Sequence, residues 1–152
     1  MTKSHKVLFL CTGNYYRSRF AEALFNNLAR QAQVNWVADS RALNITAGNN
    51  VGPISRYAVE GLRERGILLP PRIRSPKQVS EEDLGSSALI IAMNEKEHRP
   101  LLESAFPQWA QRVEYWHVHD LDLSTAENAL AEIERSIREL IVRIRHSQDA
   151  AA

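Results

Sequence analysis

The sequence predicts an α/β fold: a parallel sheet with helices on both faces, three layers wound in two directions. Two short apolar runs, residues 6–11 and 88–93, carry that prediction, because a strand buried on both faces of a parallel sheet reads as a continuous hydrophobic run. The third observation is the regular alternation of strand-like and helix-like segments, which implies right-handed crossovers around one sheet.

The elements follow in order. Residues 6–11 form the first strand, and Thr12-Gly13-Asn14 is a turn signal. From Arg17 to about Gln31 the period becomes helical, with Phe20, Leu24 and Leu28 at four-residue spacing. A second strand lies within residues 35–40, and residues 41–53 read as loop. Ser55 caps a helix running to about Arg65, which Gly66 ends. Residues 69–76 contain Pro70, Pro71 and Pro76 and exclude regular structure. Ser80 with Asp83 three positions on is a capping-box start. The strand at 88–93 precedes a helix over about 95–104, and residues 112–118 read as the fourth strand. From Ala126 onward Leu130, Ile133, Ile137, Leu140, Ile141 and Ile144 make a helical stripe whose partner is the sheet.

Composition narrows the function. A hydrophobic content of 44% with 24% charged residues is that of a globular chain, and residues 1–152 are expected to form a single domain. A net charge of +1 argues against a nucleic-acid binder. The apolar run near the N-terminus is too short for a signal-peptide core or a membrane span, so a cytoplasmic protein with no membrane partner is expected. Arg56, Arg63, Arg65, Arg72 and Arg74 fall close together and read as a solvated helix face and loop, or else as a basic rim that draws in anions. Cys11 is the sole cysteine, which excludes an intrachain disulfide, a multi-cysteine metal site and a two-thiol relay.

Ligands of such sheets bind at the carboxyl ends of the strands. There the segment Cys11-Thr12-Gly13-Asn14-Tyr15-Tyr16-Arg17-Ser18 joins the first strand to the first helix. Free N–H groups at a helix N-terminus hold anions, and a thiol placed there beside a guanidinium ionises more readily. Five residues between Cys11 and Arg17 let the backbone curl into a nest over the sulfur, and Arg17 can grip two phosphate oxygens through its planar fork. Gly13 is expected to supply the backbone angles of the tight turn, and Ser18 a hydrogen bond to the thiolate.

Residues 7–14, Val-Leu-Phe-Leu-Cys-Thr-Gly-Asn, followed by Arg17-Ser18 and Ala21-Glu22, resemble the low-molecular-weight protein tyrosine phosphatase family. The similarity extends weakly over most of the chain through Asp39-Ser40, Gly52-Pro53, Gly66-Ile67, Ala92-Met93 and the Asp120 region. The resemblance implies a four-stranded parallel sheet, no metal or other cofactor, and hydrolysis of a phosphate monoester, with a phosphorylated protein or small phosphomonoester as partner and a monomer or weak dimer as assembly. It implies that Cys11 forms a phosphocysteine and that Arg17 binds the substrate and steadies the transition state. Thr12, Gly13, Asn14, Tyr15, Tyr16 and Ser18 would line the phosphate site. Asn14, Ser18 and Ser40, this last in preference to Thr46, match positions that shape the loop. The general acid would be Asp120, with Asp122 as the fallback.

The sequence also departs from the family. Tyr16 stands where many relatives carry a second, protective cysteine, Arg19 replaces a proline, Arg74 replaces a loop-supporting histidine, and Leu121 replaces the proline after the acid. Leu121 and Leu123 stand where some relatives place aromatics that grip a phosphotyrosine ring, so Tyr15 and Tyr16 are candidates for an aromatic wall, with Tyr16 alternatively packed underneath. His117 and His119 alternate on an extended segment and read as exposed or hydrogen-bonded side chains rather than a metal pair. Two rival functions share the loop: an arsenate reductase using an external thiol, and a phosphate- or phosphoprotein-binding module of weak catalytic power.

Overall fold

A computed structural model describes residues 4–47, 50–121 and 125–151. Strands β1 (His5–Cys11), β2 (Trp36–Ala42), β3 (Leu89–Ala92) and β4 (Glu114–Tyr115) alternate with helices α1 (Arg17–Ala32), α2 (Arg56–Glu64), α3 (Glu81–Gly85), α4 (Glu95–Ala105) and α5 (Ala126–Ala151). The strands form one sheet in the order β2-β1-β3-β4, parallel throughout.

The apolar run of β1 explains its place at the centre. Val7, Phe9 and Cys11 point to one face, where they join Phe20, Leu24 and Phe25 of α1, Leu62 of α2 and the Ile133–Ile137–Leu140 stripe of α5. Leu8 and Leu10 point to the other face and meet Leu84 of α3 and Leu102 of α4. Both faces are covered, and each fully buried aliphatic or aromatic side chain contributes roughly 1.5–3 kcal/mol. The chain leaves β1 for β2 on one side and returns to β3 on the other, so the carboxyl end of β1 lies at a topological switch point.

Local signals set the helix boundaries. Ser55 accepts from the Tyr57 N–H, the Ser80–Asp83 capping box is complete, and Asn94 accepts from the Glu97 N–H. Gly66 has φ 77°, a left-handed stop that suits glycine. Two strands differ from expectation. β2 runs on to Ala42 because register pairs Cys11 with Ala42, and the ladder continues as long as β1 does. β4 shrinks to two residues because its neighbour β3 ends at Ala92, where Asn94 caps α4. Beyond it, Trp116 and Val118 still donate to the Ala92 and Met93 carbonyls, which holds the 116–120 segment against the sheet's end.

Candidate active site

The loop between β1 and α1 is built around Asn14. Its backbone takes φ 53°, in the left-handed region that asparagine tolerates. The expectation for Gly13 is therefore corrected, since the left-handed residue is its neighbour. What Gly13 supplies is room: a Cβ there would meet the Asn50 Nδ2 at 3.1 Å.

Asn14 is fully buried, and both ends of its amide are satisfied. Nδ2 donates to Ser18 Oγ and to Ser40 Oγ, each at 2.9 Å. Oδ1 accepts from Arg74 Nη1 at 3.0 Å and from the Lys77 N–H at 3.1 Å. Donor and acceptor capacities then orient the rest of the network. Ser40 Oγ also accepts from Arg74 Nη2 at 3.1 Å, and its own proton goes to Glu22 Oε1 at 2.6 Å, an acceptor-only group. Ser18 Oγ accepts from Asn14 Nδ2 and lies 2.9 Å from Cys11 Sγ, close enough for a hydrogen bond between the hydroxyl and the sulfur.

Arg74 therefore belongs to the loop's buried frame and not to a solvated basic run. Arg65 also leaves that run, pairing with Glu134 at 2.7 Å, whereas Arg56 and Arg63 border the site cavity. Ser40 lies inside the network, while Thr46 donates to Asn44 Oδ1 at 2.8 Å. Arg19, at the family's proline position, is buried and donates to the Pro53 and Arg74 carbonyls.

A second network holds Arg17 from α4. Its Nη1 donates to Glu97 Oε1 and to the Val118 carbonyl, both at 3.0 Å, and its Nη2 donates to Glu97 Oε2 at 2.7 Å. Thr12 Oγ1 donates to the same Glu97 oxygen, and His98 Nε2 lies 3.1 Å from it. Because His98 Nδ1 accepts from the Asn94 N–H at 3.0 Å, the imidazole carries its proton on Nε2 and donates there. Burial alone would raise the Glu97 pKa, but hydrogen bonds from His98, Arg17 and Thr12 and the guanidinium charge hold it well below the usual carboxylate range. Burial, aided by the Arg17 charge, moves His98 the other way from protonation, below its ordinary value.

Asp120 approaches from the segment after β4, its Oδ2 3.7 Å from Arg17 Nη2 and its Oδ1 accepting from the Leu121 N–H. Cys11, Thr12, Gly13, Tyr15, Tyr16, Arg17, Glu97 and Asp120 all line one cavity of about 880 Å³, whose outer wall is α2 with Tyr57. Tyr15 stands in that wall and donates to the Val51 carbonyl at 2.5 Å. Tyr16 packs underneath, 5% exposed and edge-on to Tyr57. Its hydroxyl is buried with no partner among the described residues, and burial together with the Asp120 charge raises its pKa to about 12. The fallback acid Asp122 and Leu123 lie outside the described residues. His117 and His119 are exposed on either side of buried Val118, and no group of three or more metal-ligating side chains occurs among the described residues.

Glu97, His98 and Glu22 escape the sequence reading. Glu22 was visible only as part of a motif, and Glu97 is one acid among many. The signal that points toward Glu97 is positional, since the helix after the second buried strand starts at the crevice, but it does not separate Glu97 from Glu95, a first-turn carboxylate that pairs with Arg99 instead.

A buried free thiol at the end of the central strand, followed by a loop that leads into a helix N-terminus, marks the chain as an α/β protein with its sole cysteine at the strand–loop–helix junction. The chain belongs to the low molecular weight phosphotyrosine protein phosphatase family, whose model matches residues 6–150. It is 35% identical over 107 residues to a protein-arginine-phosphatase of Bacillus subtilis, covering 70% of this chain and 67% of that protein. It is 41% identical over 104 residues to a low molecular weight phosphotyrosine protein phosphatase of Sus scrofa, covering 66% and 61%. The aligned segments thus span about three fifths to two thirds of these relatives. Among solved structures, a low molecular weight protein tyrosine phosphatase from T. tengcongensis superposes with TM-score 0.76 at 30% identity, over 92% of this chain and 99% of that one. YfkJ from Bacillus subtilis superposes with TM-score 0.81 at 27% identity, over 96% and 98%.

Proposed function

We propose that this chain, as one domain, hydrolyses phosphate monoesters through a phosphocysteine on Cys11. The observation that carries the reading is the cavity in which the Cys11 sulfur, 2.9 Å from the Ser18 hydroxyl, shares walls with Arg17 and Asp120. The thiolate attacks phosphorus, a P–S bond forms, and the P–O bond to the leaving group breaks. Arg17 and the loop N–H groups take the charge on the equatorial oxygens. Asp120 gives its proton to the departing oxygen, then accepts one from the water that cleaves the P–S bond and releases inorganic phosphate. Thr12, Gly13, Asn14, Tyr15, Tyr16 and Ser18 shape the site, and Ser40 supports it.

The leaving group we infer is aromatic, as in phosphotyrosine. Tyr15, Tyr57 and Ile54 give the cavity an aromatic and apolar side suited to an aryl ring. A reducing compartment such as the cytoplasm suits a chain whose sole cysteine is a free, buried thiol. Among the described residues, no helix is long and apolar enough to cross a membrane.

The test is p-nitrophenyl phosphate hydrolysis without added metal, comparing wild type with Cys11→Ser. Turnover that falls at least ~10⁴-fold in the variant is the expected result. A folded, reduced wild type without turnover would sink the reading and favour oxyanion binding or arsenate reduction. Phosphotyrosine and phosphoarginine peptides, compared by kcat/KM, then decide the leaving group.

A further inference from the structure

We propose that Glu97 is a positioning residue for the reaction, one that decides which edge of Arg17 meets the phosphate and keeps Arg17 from neutralising the acid. The proposal rests on the phosphatase reading above and on a count of donors. A guanidinium has five N–H groups in a fixed plane. Glu97 takes the Nη1–Nη2 end with both carboxylate oxygens, and the Val118 carbonyl takes the remaining Nη1 proton. What remains is the edge made by Nε–H and the second Nη2 proton. Nε–H has no acceptor among the described residues, and Asp120 Oδ2 stands 3.7 Å from Nη2. Two parallel donors on one edge are the geometry that grips two phosphate oxygens.

Glu97 is itself held. Thr12 and His98 both donate to Oε2, and the His98 ring is fixed in turn by the Asn94 N–H. Thr12 belongs to the anion-binding loop and Glu97 to the first turn of α4, so the carboxylate ties the loop and the guanidinium to one helix. Arg17 has two carboxylates within reach. The bidentate contact with Glu97 at 2.7 and 3.0 Å wins over the 3.7 Å approach of Asp120. If Glu97 lost its charge, the guanidinium would turn to Asp120. The free edge would then be occupied and the acid held as a carboxylate, unable to protonate a leaving oxygen. Glu97 therefore acts on transition states that need a proton more than on those that do not.

The experiment compares wild type, Glu97→Gln and Glu97→Asp in kcat/KM for p-nitrophenyl phosphate, a good leaving group, and phenyl phosphate, a poor one. Each variant's folding is checked by thermal melting. Glu97→Gln is expected to lose about tenfold on the nitrophenyl ester and on the order of 100-fold on the phenyl ester. Glu97→Asp keeps the charge but is too short for the two-point grip, so it should lose several-fold equally on both esters. A purely structural glutamate would lower the melting temperature and leave the ratio between the two esters unchanged. That outcome, or a folded Glu97→Gln within twofold of wild type on both esters, overturns the proposal. If Glu97→Gln does not fold, Glu97→Asp alone decides, and full activity in it sinks the two-point grip. If wild type turns over neither ester, the proposed function has failed. Glu97 is then read from the binding of inorganic phosphate, which Glu97→Gln should weaken several-fold because Asp120 takes the Arg17 edge that grips the anion, whereas loss of a negative charge alone would tighten it. Unchanged or tighter binding overturns the proposal independently of phosphatase activity.

Discussion

The half of the site proposed to hold the nucleophile and the half proposed to hold the acid are built in opposite ways. Cys11, Asn14, Ser18 and Ser40 are each no more than 3% exposed, and one network from β2, α1 and the 74–77 segment saturates their hydrogen bonds. Asp120 hangs from the segment after a two-residue strand, with its side chain about half exposed, 49%, beside an exposed Leu121. The contrast follows from the chemistry each half is proposed to do. Charge that develops on a phosphoryl group is best met by dipoles already in place, whereas a proton donor must meet leaving groups of different shape and then a water. Rigidity belongs under the sulfur and access belongs at the acid.

The contrast breaks or sharpens under substitution. Asp120→Asn should lower kcat/KM for aryl phosphates by about 100-fold while leaving the melting temperature within about 2 °C, because little burial is lost. If the protein melts much earlier, Asp120 is part of the frame and the two halves are not distinct. Asn14→Ala should do both kinds of damage, removing about 3 kcal/mol of stability and about tenfold of kcat/KM, since it strands partners and leaves φ 53° to an alanine. Activity and urea denaturation measured on the same sample decide that.

His98 gives a gentler test, in pH. Its folded pKa lies below the ordinary 6.5, so the unfolded chain binds the proton more readily. Its contribution to stability is complete above pH 6.5 and is lost as the pH falls through that value. Melting temperatures recorded from neutral to mildly acidic pH should decline in wild type, and the decline should be shallower in His98→Asn, which keeps an acceptor for the Asn94 N–H. Parallel curves would mean that the imidazole carries no such linkage. The smallest effect belongs to Tyr16→Phe. Removing a buried hydroxyl that has no partner among the described residues should change stability by no more than about 1 kcal/mol, and toward greater stability. A clear loss would show that the phenol makes a hydrogen bond that stabilises the fold.

The sequence by itself determined the sheet, the layers and the segment where the chemistry sits. Continuous apolar runs at β1 and β3, the stripe of α5, and the cap residues Ser55 and Ser80 are local signals. Burial and capping act on neighbouring residues, so they can be read without knowing the fold. For the same reason Cys11, Arg17 and Ser18 were legible as a loop. The tertiary structure alone decided the partners. Arg74 meets Asn14 across 60 positions and Arg17 meets Glu97 across 80. Such pairs are set by how β2, the 72–77 segment and α4 converge on one strand end, and no periodicity records that. The placement of the left-handed residue at Asn14, the short β4 and the buried Tyr16 were decided there too. In each case a long-range contact, or a neighbouring strand's length, outweighed what the local residues prefer.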